Sequence, residues 1–234
     1  ADAALFVESP SGAGGARLFQ VELAGQRPAR PLSLELSAGR TIRAFRASPD
    51  QRHVVFSADA DTAGVFTLFV APVLPPGPGH VRPLGGPRPD RPRAIGGSTD
   101  VARFVFTPDS AAVLAHVASP TGLQLERVAL DGRSVRRLSG PEGASDLELD
   151  DEGTLALYRG AREHETRIHV YTVSLDEEAL PLQLDDFGPV LGALSSYELH
   201  PNGREGLFAA GSRDYAYTDL QRVPVELHRA QARG

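Results

Sequence analysis

The sequence predicts an all-β chain, a β-propeller of about five four-stranded blades with incomplete first and last blades. Three observations predict it. One short apolar segment recurs five times, a second set of apolar segments precedes it at a fixed distance, and a third set of alternating strands runs into tight turns before the second. Internal repeats with a period of about 50 residues are a signature of propeller blades.

The recurring segments are LFQVEL from Leu18, LFVAPV from Leu68, LERVAL from Leu125, VYTVSL from Val170 and LQRVPV from Leu220. Their starts lie 50, 57, 45 and 50 residues apart. The second set centres on Phe6, Phe56, Ala115, Tyr158 and Phe208. Phe6 to Val21, Phe56 to Ala71, Tyr158 to Val173 and Phe208 to Val223 are each 15 residues, and Ala115 to Val128 is 13, a shortened loop. The third set is FRASPD, FVFTPD, LELDDEG and YELHPNG, with turn residues Pro49, Pro108, Asp151 and Pro201. Each turn residue stands seven positions before its second-set anchor. Phe45 and Ala47, Phe104 and Phe106, Leu147 and Leu149, Tyr197 and Leu199 share the period of two that marks a strand. A weaker fourth set near Leu32, Leu84, Leu138 and Leu182 reads as a short outer strand, where Pro and Arg are tolerated.

Four antiparallel strands repeated radially describe a blade. The units run over approximately residues 1–38, 39–98, 99–141, 142–190 and 191–234 of a single domain. By the seven-residue rule the first unit's turn would fall just before Ala1, so that unit lacks its inner strand. The last unit has only nine residues after Val225 for an outer strand. The expectation is a five-bladed ring with imperfect terminal blades or an excerpt of a larger propeller. An open excerpt would expose strand edges and invite self-association. The Pro/Gly/Arg-rich stretch from Leu74 to Thr99 reads as a long exposed loop around a short outer strand, and the polar C-terminal ELHRAQARG as a segment that frays.

Composition removes whole classes of chemistry. With no Cys there are no disulfides, no thiolate catalysis and no cysteine metal sites. All 24 basic residues are Arg, so a Schiff base or a P-loop lysine is excluded. Net charge is −6, which argues against a nucleic-acid partner, and no apolar run is long enough to span a bilayer. Without Met, Ala1 is not an untrimmed initiator; Ala1-Asp2-Ala3 suits either the end left by a signal peptidase or a domain boundary.

The stretch from Phe45 to Val73, a strand, a Ser-Pro-Asp-x-Arg turn, Val-Val-Phe, then Asp-x-Asp-Thr-x-Gly-Val-Phe-x-Leu-Phe-Val-x-Pro-Val, resembles the TolB-like β-propeller repeat. Thr107-Pro108-Asp109 keeps the turn, Asp151 replaces the proline, and His200-Pro201-Asn202-Gly203-Arg204 varies it. The resemblance implies a bacterial, periplasmic or secreted propeller; it is nearly silent on function, since such repeats serve scaffolds, receptors and the non-catalytic halves of peptidases.

In propellers the loops between second and third strands lie on the rim that commonly forms the ligand face. That places Asp59, Asp61, Arg162, Glu163, Arg213 and Asp214 as the candidate binding residues. Asp59, Asp61 and Thr62 offer oxygens for Ca²⁺, but the loop lacks the remaining ligands, and Asp and Gly also make such turns; no cofactor is expected. The seven His show no metal-ligand spacing, and there is no Gly-x-Ser-x-Gly elbow. Asp146, Glu148 and Glu198 are the notable acids of the inner strands, and solvated strand faces outweigh a catalytic pair. Arg133, Arg136 and Arg137 read as edge protection rather than a phosphate site, and the absence of Trp weighs against a lectin, with Tyr215 and Tyr217 unplaced. The leading expectation is a non-enzymatic extracytoplasmic binding or scaffold propeller using its loop rim for a protein or peptide partner. The alternatives are the non-catalytic propeller of a larger prolyl-oligopeptidase-like hydrolase and a propeller hydrolase with carboxylates in its channel.

Overall fold

Each alternating segment pairs with the next segment along the chain, so the repeat produces five separate sheets. The computed structural model describes residues 3–9, 15–23, 28–74, 80–84, 101–119, 122–161, 168–176, 178–184, 191–199, 205–212 and 218–224. In the first sheet β1 (Ala3–Glu8), β2 (Arg17–Glu22) and β3 (Arg30–Pro31) lie in that order. In the second, β4 (Ile42–Ala47), β5 (His53–Thr62), β6 (Val65–Pro72) and β7 (Arg82–Pro83) do the same. The third holds β8 (Val101–Phe106), β9 (Ala112–Ser119), β10 (Gly122–Ala129) and β11 (Val135–Arg137). The fourth holds β12 (Ser145–Leu149), β13 (Leu155–Gly160), β14 (His169–Ser174) and β15 (Leu182–Gln183). The fifth holds β16 (Leu191–Leu199), β17 (Glu205–Ser212) and β18 (Thr218–Pro224). These are propeller blades; among the described residues the first lacks an inner strand and the last an outer one. The C-terminal ELHRAQARG and most of the loop from Leu74 to Thr99 lie outside the described residues.

The chain divides into two compact units, residues 1–120 with 128–135, and residues 121–127 with 136–234. Within the first, β5 serves two cores at once. Val54, Phe56 and Ala58 join Leu18, Leu32 and Ala71 in one cluster, while Val55 joins Val70, Phe104, Val113 and Leu130 in another. The period of two sends alternate side chains to opposite faces, and both faces are covered by a neighbouring blade.

Register is held by three recurring devices. Paired aromatics stack across the second and third strands: Phe6 on Phe19 at 5.3 Å, Phe56 on Phe69 at 5.4 Å, Tyr158 on Tyr171 at 5.5 Å. Outer strands are fastened by one backbone bond at 2.8 Å, from the N–H of Leu32, Leu84, Leu138 and Leu184 to the carbonyls of Leu18, Leu68, Leu125 and Val170. The fourth blade's anchor is thus Leu184, buried, and not Leu182, which is exposed.

The third device is the turn after each inner strand. Thr107 Oγ1 donates to Asp109 Oδ1 at 2.5 Å and accepts the Ala112 N–H at 3.1 Å, and Asp109 Oδ1 also accepts the Ala111 N–H at 3.0 Å. Ser48, Asp50, Arg52 and His53 repeat this arrangement bond for bond. The Asp50 carboxyl is held below the usual carboxylate range by the Ser48 hydroxyl and then by the Arg52 N–H. In the fourth blade Asp150 takes the first position itself, accepting from Thr154 N–H at 2.8 Å and Leu155 N–H at 2.9 Å. Gln51, Ser110 and Gly153 carry positive φ at the same place in the three turns.

Thr107 is 2% exposed, so Thr107→Val leaves the N–H of buried Ala112 without the hydroxyl it donates to while nearly conserving volume. It is expected to cost about 1–3 kcal/mol, read as a shift in the denaturant midpoint at constant slope. His116 gives a pH signature. Burial, then the charge of Arg103 opposite it in the sheet, lowers its pKa from 6.5 to about 4, and its Nε2 has no hydrogen-bond partner. Below 6.5 the unfolded chain binds a proton that the folded chain refuses until about 4. Stability is therefore full above that window and is expected to fall by roughly 3 kcal/mol as pH drops through it. Denaturation of His116→Gln between those pH values should show a flatter pH dependence.

Candidate functional site

The longest hairpin among the described residues projects from the second blade. β5 and β6 pair from His53↔Pro72 to Thr62↔Val65, and the two-residue link Ala63-Gly64 closes the tip. Gly64 has φ 73, which a side-chain-bearing residue adopts only with strain.

Asp59 and Asp61 lie two residues apart yet do opposite things. Asp59 is 4% exposed; its Oδ1 accepts the Thr41 N–H at 2.6 Å and its Oδ2 accepts the Gly64 N–H at 3.1 Å. One carboxylate thereby ties the start of the inner strand to the hairpin tip. The turn-forming reading of this loop is the one its hydrogen bonds express. Asp61 is exposed on the hairpin. On the same blade the Arg43 guanidinium sits 4.2 Å over the Phe66 ring. The equivalent hairpins, β13–β14 and β17–β18, carry Arg162, Glu163, Arg213 and Asp214 in links that lie outside the described residues, as do Tyr215 and Tyr217.

The inner-strand acids are not assembled into a pair by the described geometry. Asp146 has φ 52 at a register break in β12 and forms an ion pair with Arg159. Glu148 is half-buried opposite Leu157, and the side chain of Glu198 is outside the described residues. Arg136 donates to the carbonyls of Ser174 and Leu175 at 2.7 and 2.8 Å, and Arg137 to those of Ser139 and Gly140, both at 2.9 Å. These guanidiniums cap backbone. His169 is buried, 2.9 Å from the Gln183 amide and edge-on to Tyr171. Among the described residues no three His, Asp or Glu side chains gather as a metal site.

The sequence did not single out Glu142, which the fold draws inward. Its Oε1 accepts from the Tyr158 hydroxyl at 2.7 Å and from the Gly140 N–H at 2.7 Å. Burial, then this carboxylate, pushes the Tyr158 hydroxyl well above the usual phenol range. A cleft of about 790 Å³ opens in the first unit between Ala3 and Leu5 of the first blade and Ser48, Pro49 and Gln51 of the second.

The contrast within the hairpin is measurable. Asp59→Ala removes a buried carboxylate that accepts the N–H groups of Thr41 and Gly64 and is expected to cost about 1–2 kcal/mol. Asp61→Asn should stay within about 0.5 kcal/mol of the parent in the same denaturation assay.

No protein-family model and no curated protein matches this sequence. Solved structures do. A TolB from Agrobacterium tumefaciens superposes with a TM-score of 0.52 at 14% identity, over 93% of this chain and 75% of that one. A prolyl endopeptidase reaches 0.58 at 18% identity, over 94% of this chain and 31% of that one. An oligogalacturonate lyase from Vibrio parahaemolyticus reaches 0.52 at 13% identity, over 90% and 55%. The chain thus spans less than two thirds of the latter two. At these identities the likeness shows the fold, and that fold is the TolB-like β-propeller.

Proposed function

We propose that the chain is a non-enzymatic binding propeller, periplasmic or secreted, that meets a protein or peptide partner through its second-to-third-strand loops. The observation that carries this reading is the β5–β6 hairpin. Asp59 ties its tip to the start of the neighbouring inner strand, and Asp61 stands exposed on the braced arm. A loop already ordered before contact loses less entropy on binding. By the repeat, Arg162, Glu163, Arg213 and Asp214 belong to the equivalent loops and extend the contact. The likeness to a TolB supports the reading at the level of fold.

One observation favours a second reading. The prolyl endopeptidase likeness covers 31% of that enzyme, which fits the non-catalytic propeller of a larger hydrolase. A complete gene encoding an α/β-hydrolase segment with a Gly-x-Ser-x-Gly elbow would replace the first reading with this one.

The direct test is affinity capture from an envelope extract, with the parent chain and the Asp61→Arg variant side by side. A partner retained by the parent should be depleted roughly tenfold on the variant, because reversing a charge in a contact opposes its complement. Equal retention on both removes the hairpin from the contact.

A further inference from the structure

The second blade carries a pair of side chains that the other blades do without. Arg43 stands in β4 where the register with β5 shifts between Ile42 and Ala44. A bulge of this kind re-aims a side chain. The Arg43 guanidinium sits 4.2 Å over the centroid of the Phe66 ring, which is 6% exposed, while Arg43 itself is exposed. Its N–H groups meet no acceptor among the described residues.

Asp59 fixes both halves of the pair. Its Oδ1 holds the N–H of Thr41, two residues before Arg43, and its Oδ2 holds the N–H of Gly64, two residues before Phe66. One buried carboxylate thus ties the strand that carries the cation to the strand that carries the ring.

The repeat separates what a blade needs from what it does not. A register shift also interrupts the inner strands of the third, fourth and fifth blades, so the bulge belongs to the fold. The arginine does not. Two residues before the inner-strand anchors Phe104, Leu147 and Tyr197 stand Ala102, Ser145 and Ser195. In the recurring third-strand segments the place of Phe66 is taken by Leu123, Ile168 and Thr218. Three sheets form without the pair, whereas Arg136 and Arg137 are spent on backbone carbonyls.

We propose that Arg43, backed by Phe66, is a binding site for a carboxylate-bearing ligand at the foot of the β5–β6 hairpin. The guanidinium fork matches a carboxylate with two parallel N–H bonds. Stacking on the ring limits the freedom that the side chain would otherwise lose on binding. Phosphate also fits a guanidinium, but Asp61, exposed on the same hairpin, opposes a phosphate dianion twice as strongly as a monoanion. The inference rests on the hairpin reading above only for the source of the group: where the hairpin meets a polypeptide, the carboxylate is that of an Asp, a Glu or a C-terminus.

The probe is sodium acetate, titrated against the full chain at constant ionic strength while the arginine Nε–H resonances are followed by NMR. Arg46 is the internal control, exposed on the same strand and without a ring contact among the described residues. Arg43 is expected to saturate at a roughly fivefold lower acetate concentration than Arg46, and Phe66→Leu to bring it to the level of Arg46. The comparison of the two arginines needs no variant, so it stands even where Phe66→Leu lowers stability. An identical response of Arg43 and Arg46 overturns the proposal. So does saturation of Arg43 by inorganic phosphate below the acetate concentration, in favour of a phosphate-bearing ligand. The titration contains no partner, so it is read separately from capture with Asp61→Arg. Acetate binding alongside equal capture keeps the site and removes the hairpin reading; the reverse keeps the hairpin and removes the site.

Discussion

A side-chain oxygen at the start of each of the three described inner turns holds the hairpin from which a blade is built. Ser48 and Thr107 use a hydroxyl and Asp150 a carboxylate, and each accepts the N–H that closes the turn. The strands beyond inherit their register from it. Register matters here in an unusual way, because β5 is buried on both faces. A slip by one residue would not expose apolar side chains; it would exchange the cluster containing Phe56 with the one containing Val55. The two cores are built from different side chains, so such a slip is opposed by packing rather than by solvation.

Much of the polar chemistry visible in the chain is spent on backbone. Asp59 joins an inner strand to a hairpin tip, Arg136 and Arg137 cap carbonyls, and Asp146 pairs with Arg159 at a break in register. This economy follows from topology. Short strands joined by tight links leave many N–H and C=O groups outside the ladders, and buried ones need partners. Asp59 and Asp61 look interchangeable as letters, and a regular strand would place them on one face; the register shift between Ala58 and Thr62 separates them, with Asp59 buried and Asp61 exposed.

The strand spacings were legible because apolar anchors recur at constant offsets, and those offsets are the register. The stacked partners Phe19, Phe69 and Tyr171 each stand 13 residues after their mates, but the aliphatic anchors two positions further on carry the stronger repeat signal and hide them. Leu180, Leu182 and Leu184 alternate alike in the sequence, and the burial of Leu184 and its bond to Val170 distinguish it. The role of Asp59 depends on Thr41, 18 residues away, and no local pattern announces it. Glu142 and Tyr158 are hidden for the same reason, at a separation of 16.

The three turns also bear on how such a unit drifts as copies diverge. Position by position they read Ser, Thr, Asp; then Pro, Pro, Asp; then Asp, Asp, Glu; then Gln, Ser, Gly. No column holds one letter in all three, yet the first keeps an acceptor for the closing N–H and the last a backbone with positive φ. What duplication transmits in this chain is a set of hydrogen-bonding and dihedral obligations. An ancestral blade and its descendants can lose nearly all textual likeness while remaining superposable.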